Sequence, residues 1–71
     1  MYKRIVELRK NKKWTQTEVA KKLGMSQTGY SKYETGENDI PTTILIKLAQ
    51  LYHVSTDYIL ELTSEEEPYP V

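Results

Sequence analysis

Apolar side chains recur at helical spacing along most of the chain. In residues 2–11, Ile5, Leu8 and Tyr2 fall on one face with Arg9 beside them. Val19, Ala20 and Leu23 make the inner stripe of a second helix that runs to about Leu23. Tyr30 and Tyr33, three apart, face inward from a third, Gln27 to about Glu34. Leu45, Leu48, Ala49 and Tyr52 line a fourth over residues 42–52, flanked by Ile44 and Leu51, and Tyr58, Ile59 and Leu60 fall in a short fifth. No segment alternates with the period of a strand, and no internal repeat is present. The pattern predicts an all-α, compact five-helix domain over residues 1–62. The tail from Thr63, TSEEEPYPV, is acidic, has no periodicity and is expected to be mostly disordered.

Start and stop signals sharpen these boundaries. Thr15 reads as an N-cap with Glu18 three residues on, a capping box, and Trp14 before it pairs with Val19 as a hydrophobic staple. Gly24 suits the left-handed backbone that ends a helix, because it has no Cβ to clash. Ser26 caps the third helix and Gly36 ends it; the polar loop GENDIP follows, closed by Pro41. His53 stands where a C-cap belongs, and a lone His at a helix end reads as a cap before a titrating switch. Ser55 caps the last helix.

Size and composition then exclude whole classes. At 71 residues the chain holds one domain. A domain this small buries only ~60% of its unfolded surface, so it is modestly stable and has no room for a deep catalytic cleft. It has no Cys and a single His, which removes disulfides and a thiolate or His-cluster metal site and fits a reducing, cytoplasmic setting. No apolar run approaches the ~20 residues of a membrane span, and no signal peptide is visible. There is no nucleophile–base–orienter set and no phosphate loop, so an enzyme is not expected, nor any cofactor.

The net charge of zero conceals a polarised chain. Residues 1–32 carry nine Lys and Arg against two acidic side chains, and residues 33–71 carry one against eight. A basic half of that strength suggests a polyanionic partner, and the acidic half limits indiscriminate adhesion.

Residues 16–35 meet the steric demands of two short helices crossing at a tight turn. Ala20 is small at the crossing, Gly24 is permissive in the turn, and Val19, Leu23, Met25, Tyr30 and Tyr33 are apolar around it. With these features in register, the stretches WTQTEVAKKLGMSQTGYSKYETG and IPTTILIKLAQLYHVSTDYIL resemble the Cro/repressor-type (XRE-like) helix-turn-helix proteins of phages and bacteria, over about residues 2–62. The resemblance implies a five-helix repressor-like DNA-binding domain, with the motif at helices 2 and 3. It implies binding to double-stranded operator DNA, commonly as a dimer, and transcriptional regulation, most often repression.

In that family the second motif helix enters the major groove. The resemblance places base contacts at Gln27, Thr28 and Lys32, with Ser31 as a weaker candidate. Gln27 can bond adenine in two places, Thr28 offers a hydroxyl and a methyl, and Lys32 can donate to guanine. The resemblance puts Gln16, Thr35 and Asn38 on phosphates, which set position rather than sequence choice. It pairs Arg9 with Glu34 as a lock between the first and third helices. Here the loop after the reading helix is acidic, Glu37-Asn38-Asp39, where many relatives are basic, which weakens the expected loop contact. Gly29 costs ~0.8–1.0 kcal/mol against Ala inside a helix. Either it allows close approach to DNA, or it is a neutral surface position.

Leu51, Ile59 and Leu62 could form a small homodimer surface, or could equally finish a monomer's core. Tyr30, Tyr33, Tyr52 and Tyr58 are spaced as core residues, although tyrosines can also stack on single-stranded bases. The competing reading of the chain is a protein-interaction module, such as an antitoxin-type domain that keeps the fold and acts through a protein partner. The acidic loop and tail favour it.

Overall fold

The computed structural model describes residues 2–62. Among them are five helices and no strand: α1 (Lys3–Asn11), α2 (Gln16–Leu23), α3 (Gln27–Thr35), α4 (Thr42–Tyr52) and α5 (Thr56–Ile59). The boundaries expected from sequence hold to within a residue or two. The tail from Thr63, with its expected disorder, lies outside the described residues.

Local hydrogen bonds set where these helices begin. The Thr15 hydroxyl accepts from the Glu18 N–H at 3.1 Å, and the Glu18 carboxylate accepts from the Thr15 N–H at 2.9 Å, so the capping box is complete. Ser26 and Ser55 cap α3 and α5 by accepting from the N–H groups of Gly29 and Tyr58, at 3.1 and 3.0 Å. Helix ends are equally local. After α1, α2, α4 and α5 a residue one or two positions past the end turns left-handed, and the next sends its N–H back five positions. These bonds are Trp14 to Arg9 (3.2 Å), Met25 to Ala20 (3.0 Å), Val54 to Ala49 (3.0 Å) and Leu62 to Asp57 (2.9 Å). The left-handed residue is Gly24 after α2, but Lys13, His53 and Glu61 elsewhere. Those three hold a conformation that side chains resist.

The core forms where α2 packs on α3 and α4, and α1 packs on α3 and α5. Ile5, Val19, Tyr30, Leu48 and Ile59 are fully enclosed, and Ala20, Leu23, Tyr33, Tyr52 and Val54 complete the cluster. α2 packs most extensively on α3, and α4 on α5. Trp14, expected as a staple beside Val19, is half-buried against the core and reaches α4, where its ring lies 5.7 Å from that of Tyr52. Arg4 lies over the Tyr58 ring at 4.0 Å and donates to the Tyr58 carbonyl, tying α1 to α5.

One expectation is corrected here. Ile59 was a candidate for a dimer surface, but it is 0% exposed and belongs to the monomer core. A four-residue helix turns its single enclosed side chain inward because that is how it is anchored. Leu51 is half-buried against the same core, whereas Leu62 is 72% exposed.

Candidate nucleic-acid interface

The site is organised from the inside by one carboxylate. Glu34, near the end of α3, is only 8% exposed, and four hydrogen bonds converge on it. Arg9 of α1 donates from Nε to Oε2 at 2.7 Å and from Nη2 to Oε1 at 3.1 Å, a bidentate pair. Tyr30 donates its hydroxyl to Oε2 at 2.6 Å, and Gln16 of α2 donates Nε2 to Oε1 at 2.9 Å. Arg9 also donates to the Trp14 carbonyl at 3.0 Å. The expected Arg9–Glu34 lock is therefore present, and it fastens three helices rather than two.

The electrostatics follow from this convergence. Burial pushes the Glu34 carboxyl up, but bonds from Arg9, Tyr30 and Gln16 outweigh it and hold the group below the ordinary carboxylate value. The bond to Glu34 raises the Arg9 guanidinium. Burial, then the bond to Glu34, pushes the Tyr30 hydroxyl far above the ordinary phenol range.

From Glu34 the network runs outward. Gln27, at the first position of α3, donates Nε2 to Gln16 Oε1 at 2.7 Å. Gln16, expected on a phosphate, thus already bonds Glu34 with its nitrogen and Gln27 with its oxygen. Gln27 and Thr28 are exposed, and Ser31 and Lys32 are half-exposed. Thr28, Ser31, Lys32 and Thr35 recur at three- and four-residue spacing and so share the outer stripe of α3. Two of their hydroxyls turn back to the helix, Ser31 to the Thr28 carbonyl at 3.0 Å and Thr35 to the Lys32 carbonyl at 3.2 Å. Asn38, also exposed, sends its backbone N–H to the Lys32 carbonyl at 3.2 Å, folding the loop under the end of α3.

The acidic loop is fastened as well. Tyr2 donates its hydroxyl to Asp39 Oδ1 at 3.2 Å and accepts from the Ile40 N–H at 3.5 Å. Lys10, Lys12, Lys13 and Lys21 are exposed, and Lys22 lies 4.7 Å from the Trp14 ring centre. Gly29 has its own local reason. A Cβ there would come within 3.1 Å of the Ser26 hydroxyl and 3.2 Å of the Met25 methyl, so the space between the cap and the turn is already filled.

Sequence reasoning missed the Gln16 bonds to Glu34 and Gln27, the Tyr30 hydroxyl on Glu34, and the Tyr2 latch. One signal was available: Glu34 falls one helical turn beyond Tyr30 on the inner face of α3, where a charge demands partners. Among the described residues no His, Cys, Asp or Glu group could hold a metal ion, and no helix is long and apolar enough to cross a membrane.

Two short helices, α2 and α3, joined by the Gly24 turn make a helix-turn-helix, and the helix-turn-helix family pattern matches residues 5–59. The chain belongs to the helix-turn-helix family. It is 42% identical over 65 residues to the uncharacterized HTH-type transcriptional regulator YobD of Bacillus subtilis (strain 168), covering 92% of this chain and 58% of that protein. It is 45% identical over 58 residues to the HTH-type transcriptional regulator ImmR of the same organism, 82% of this chain and 46% of that one. It is 31% identical over 67 residues to its HTH-type transcriptional regulator AnsR, 94% of this chain and 58% of that one. This helix-turn-helix chain thus spans about half the length of the curated relatives it matches. No solved structure matches it significantly.

Proposed function

We propose that this helix-turn-helix domain binds a specific site on double-stranded DNA with α3 in the major groove and serves transcriptional regulation, most simply as a repressor. The observation that carries this reading is the division of α3. Tyr30, Tyr33 and Glu34 are buried, while Gln27 and Thr28 stand exposed on a polar stripe. A helix anchored along one side and polar along the other is what a groove reader requires.

Gln27, Thr28 and Lys32 meet base edges in this reading, with Ser31 a lesser contributor because its hydroxyl already bonds the Thr28 carbonyl. Gln16, through its second N–H, and Thr35 and Asn38 hold phosphates; each phosphate neutralised by a lysine contributes about −0.9 to the salt slope of log affinity. Glu37 and Asp39 oppose the backbone charge there. Binding as a homodimer would set two reading helices ~34 Å apart on a two-fold-symmetric site. With Ile59 enclosed, Leu62 and the margin of Leu51 remain for that contact. Its workplace is the cytoplasm, on the nucleoid when bound.

Selection from random duplexes at two salt concentrations tests the reading. It should yield one short symmetric sequence with steep salt dependence. Selection left unchanged by both Gln27→Ala and Lys32→Ala would remove direct readout by α3.

A further inference from the structure

The loop from Gly36 to Ile40 carries two carboxylates beside the end of α3, and the structure holds them differently. Glu37 turns to the outer stripe of α3. Its Oε1 accepts from the Thr35 hydroxyl at 3.4 Å, and its N–H donates back to that hydroxyl at 3.4 Å. Thr35 belongs to the stripe, so this charge stands beside the place of a phosphate. Asp39 turns the other way. Its Oδ1 accepts from the Tyr2 hydroxyl at 3.2 Å, and the Tyr2 ring is half-buried against the core at the start of α1.

The Tyr2 hydroxyl is committed to this bond. A phenol has one O–H to give. Its oxygen also accepts from the Ile40 N–H at 3.5 Å, which leaves the proton for Asp39. Ile40 itself packs on the core, so backbone and carboxylate at the loop's end are tied to one atom on the protein side. Coulomb repulsion falls with distance, and salt screens exposed charges beyond ~10 Å at ~0.1 M. A carboxylate drawn toward α1 therefore repels the duplex less than one standing on the stripe.

We infer that Tyr2 is a positioning residue for DNA binding: its hydroxyl holds the Asp39 carboxylate back toward α1, so that the acidic loop can lie beside a phosphate backbone with Glu37 as its main opposing charge. The inference rests on the reading of α3 as the groove helix. No base is read through Tyr2, which governs affinity rather than sequence choice.

A charge-reversal cycle in the full chain tests this, with affinity for the natively selected duplex measured at ~0.1 M salt and thermal melting of each variant beforehand. Glu37→Gln should tighten binding about threefold to fivefold. Asp39→Asn keeps an oxygen for Tyr2 and removes only the charge, so affinity should stay within about 1.5-fold of native. Tyr2→Phe keeps the ring on the core but frees Asp39. It should weaken binding about threefold with the sequence preference unchanged, and adding Asp39→Asn should restore the loss. A purely structural role for Tyr2 would lower melting temperature and affinity together, and a change of charge at Asp39 would not cure it. The inference is overturned if Asp39→Asn in the native chain tightens binding as much as Glu37→Gln, or if it fails to restore Tyr2→Phe. The first comparison decides even where Tyr2→Phe does not fold. Gln27→Ala separates the failures. If it alters the selected sequence while the Asp39→Asn and Glu37→Gln chains behave alike, the groove reading stands and the latch falls. A native chain that selects no duplex ends both.

Discussion

Tyr30 and Tyr52 are both buried tyrosines, and their hydroxyls have opposite circumstances. Tyr30, in the α1–α3 region, donates to Glu34 at 2.6 Å within a network that also holds Arg9 and Gln16. Tyr52, at the end of α4, packs its ring on Trp14, yet its buried hydroxyl has no hydrogen-bond partner among the described residues. Burial pushes its ionisation up to about 12. The same contrast extends to the surfaces. The outside of α3 is polar, whereas α4 exposes Ile46 at 47% beside a shallow apolar groove running to Val54 and Thr56. The α1–α3 region owes its angles to directional bonds, and the end of α4 around Tyr52 is held by ring packing. Removing a polar atom should therefore be costly in the first region and cheap in the second.

The largest effect should come from Arg9→Ala. It leaves Glu34 buried without its charge partner, which costs about 3–5 kcal/mol, comparable with the whole stability of a domain this size. Urea denaturation measures the loss, and DNA affinity should fall with it; a native midpoint would show that the network is not what holds α1 to α3. Tyr30→Phe removes one hydrogen bond to a charged acceptor and should cost about 1.5–3 kcal/mol. At about 4–8 °C per kcal/mol for a domain of this length, the melting temperature should drop by more than about 6 °C.

Acid probes the same carboxylate without mutation. The Glu34 value is lower folded than in the unfolded chain, so its contribution is fully present above the ordinary value of 4.5 and is lost as pH falls through the folded value. Melting temperature against pH from 7 to 3 should decline below about 4.5. Glu34→Gln should flatten that limb, and an equally steep decline in the variant would assign it to other groups.

Tyr52→Phe should be neutral or stabilising by up to about 1 kcal/mol, because the lost hydroxyl made no hydrogen bond to offset its burial. A loss resembling that of Tyr30→Phe would erase the contrast between the two regions. The smallest effect should be that of Gly29→Ala. The gain in helix propensity of about 0.8–1.0 kcal/mol is offset by pressure on the Ser26 cap, so stability should stay within about 0.5 kcal/mol of native. A full gain would mean that the cap yields freely.

The helices were legible because their signals are short-range. Thr15 and Glu18, Ser26 and Gly29, and Gly24 and its neighbours each act within a few residues, so sequence alone placed them. The Arg9–Glu34 pair came from the family resemblance, since nothing local joins residues 25 apart. The bonds among Gln16, Gln27 and Glu34 stayed hidden because polar side chains at helix surfaces carry no mark of their partners until the helices cross. Ile59 was left between a dimer surface and the monomer core for a related reason. In so short a helix, periodicity cannot separate an enclosed face from an exposed one. Gly29 looked like a choice between DNA approach and indifference, and neither alternative considered the methyl of Met25 and the hydroxyl of Ser26 on either side of it.

Four of the five helices finish with an N–H that reaches back only five positions. Such endings can form before any two helices meet, so each rod can acquire its length while the chain is still open. Assembly is then the docking of segments whose extents are already decided, with few distant contacts to find. A chain wired this way belongs among the fast folders, reaching its native arrangement in about microseconds to milliseconds.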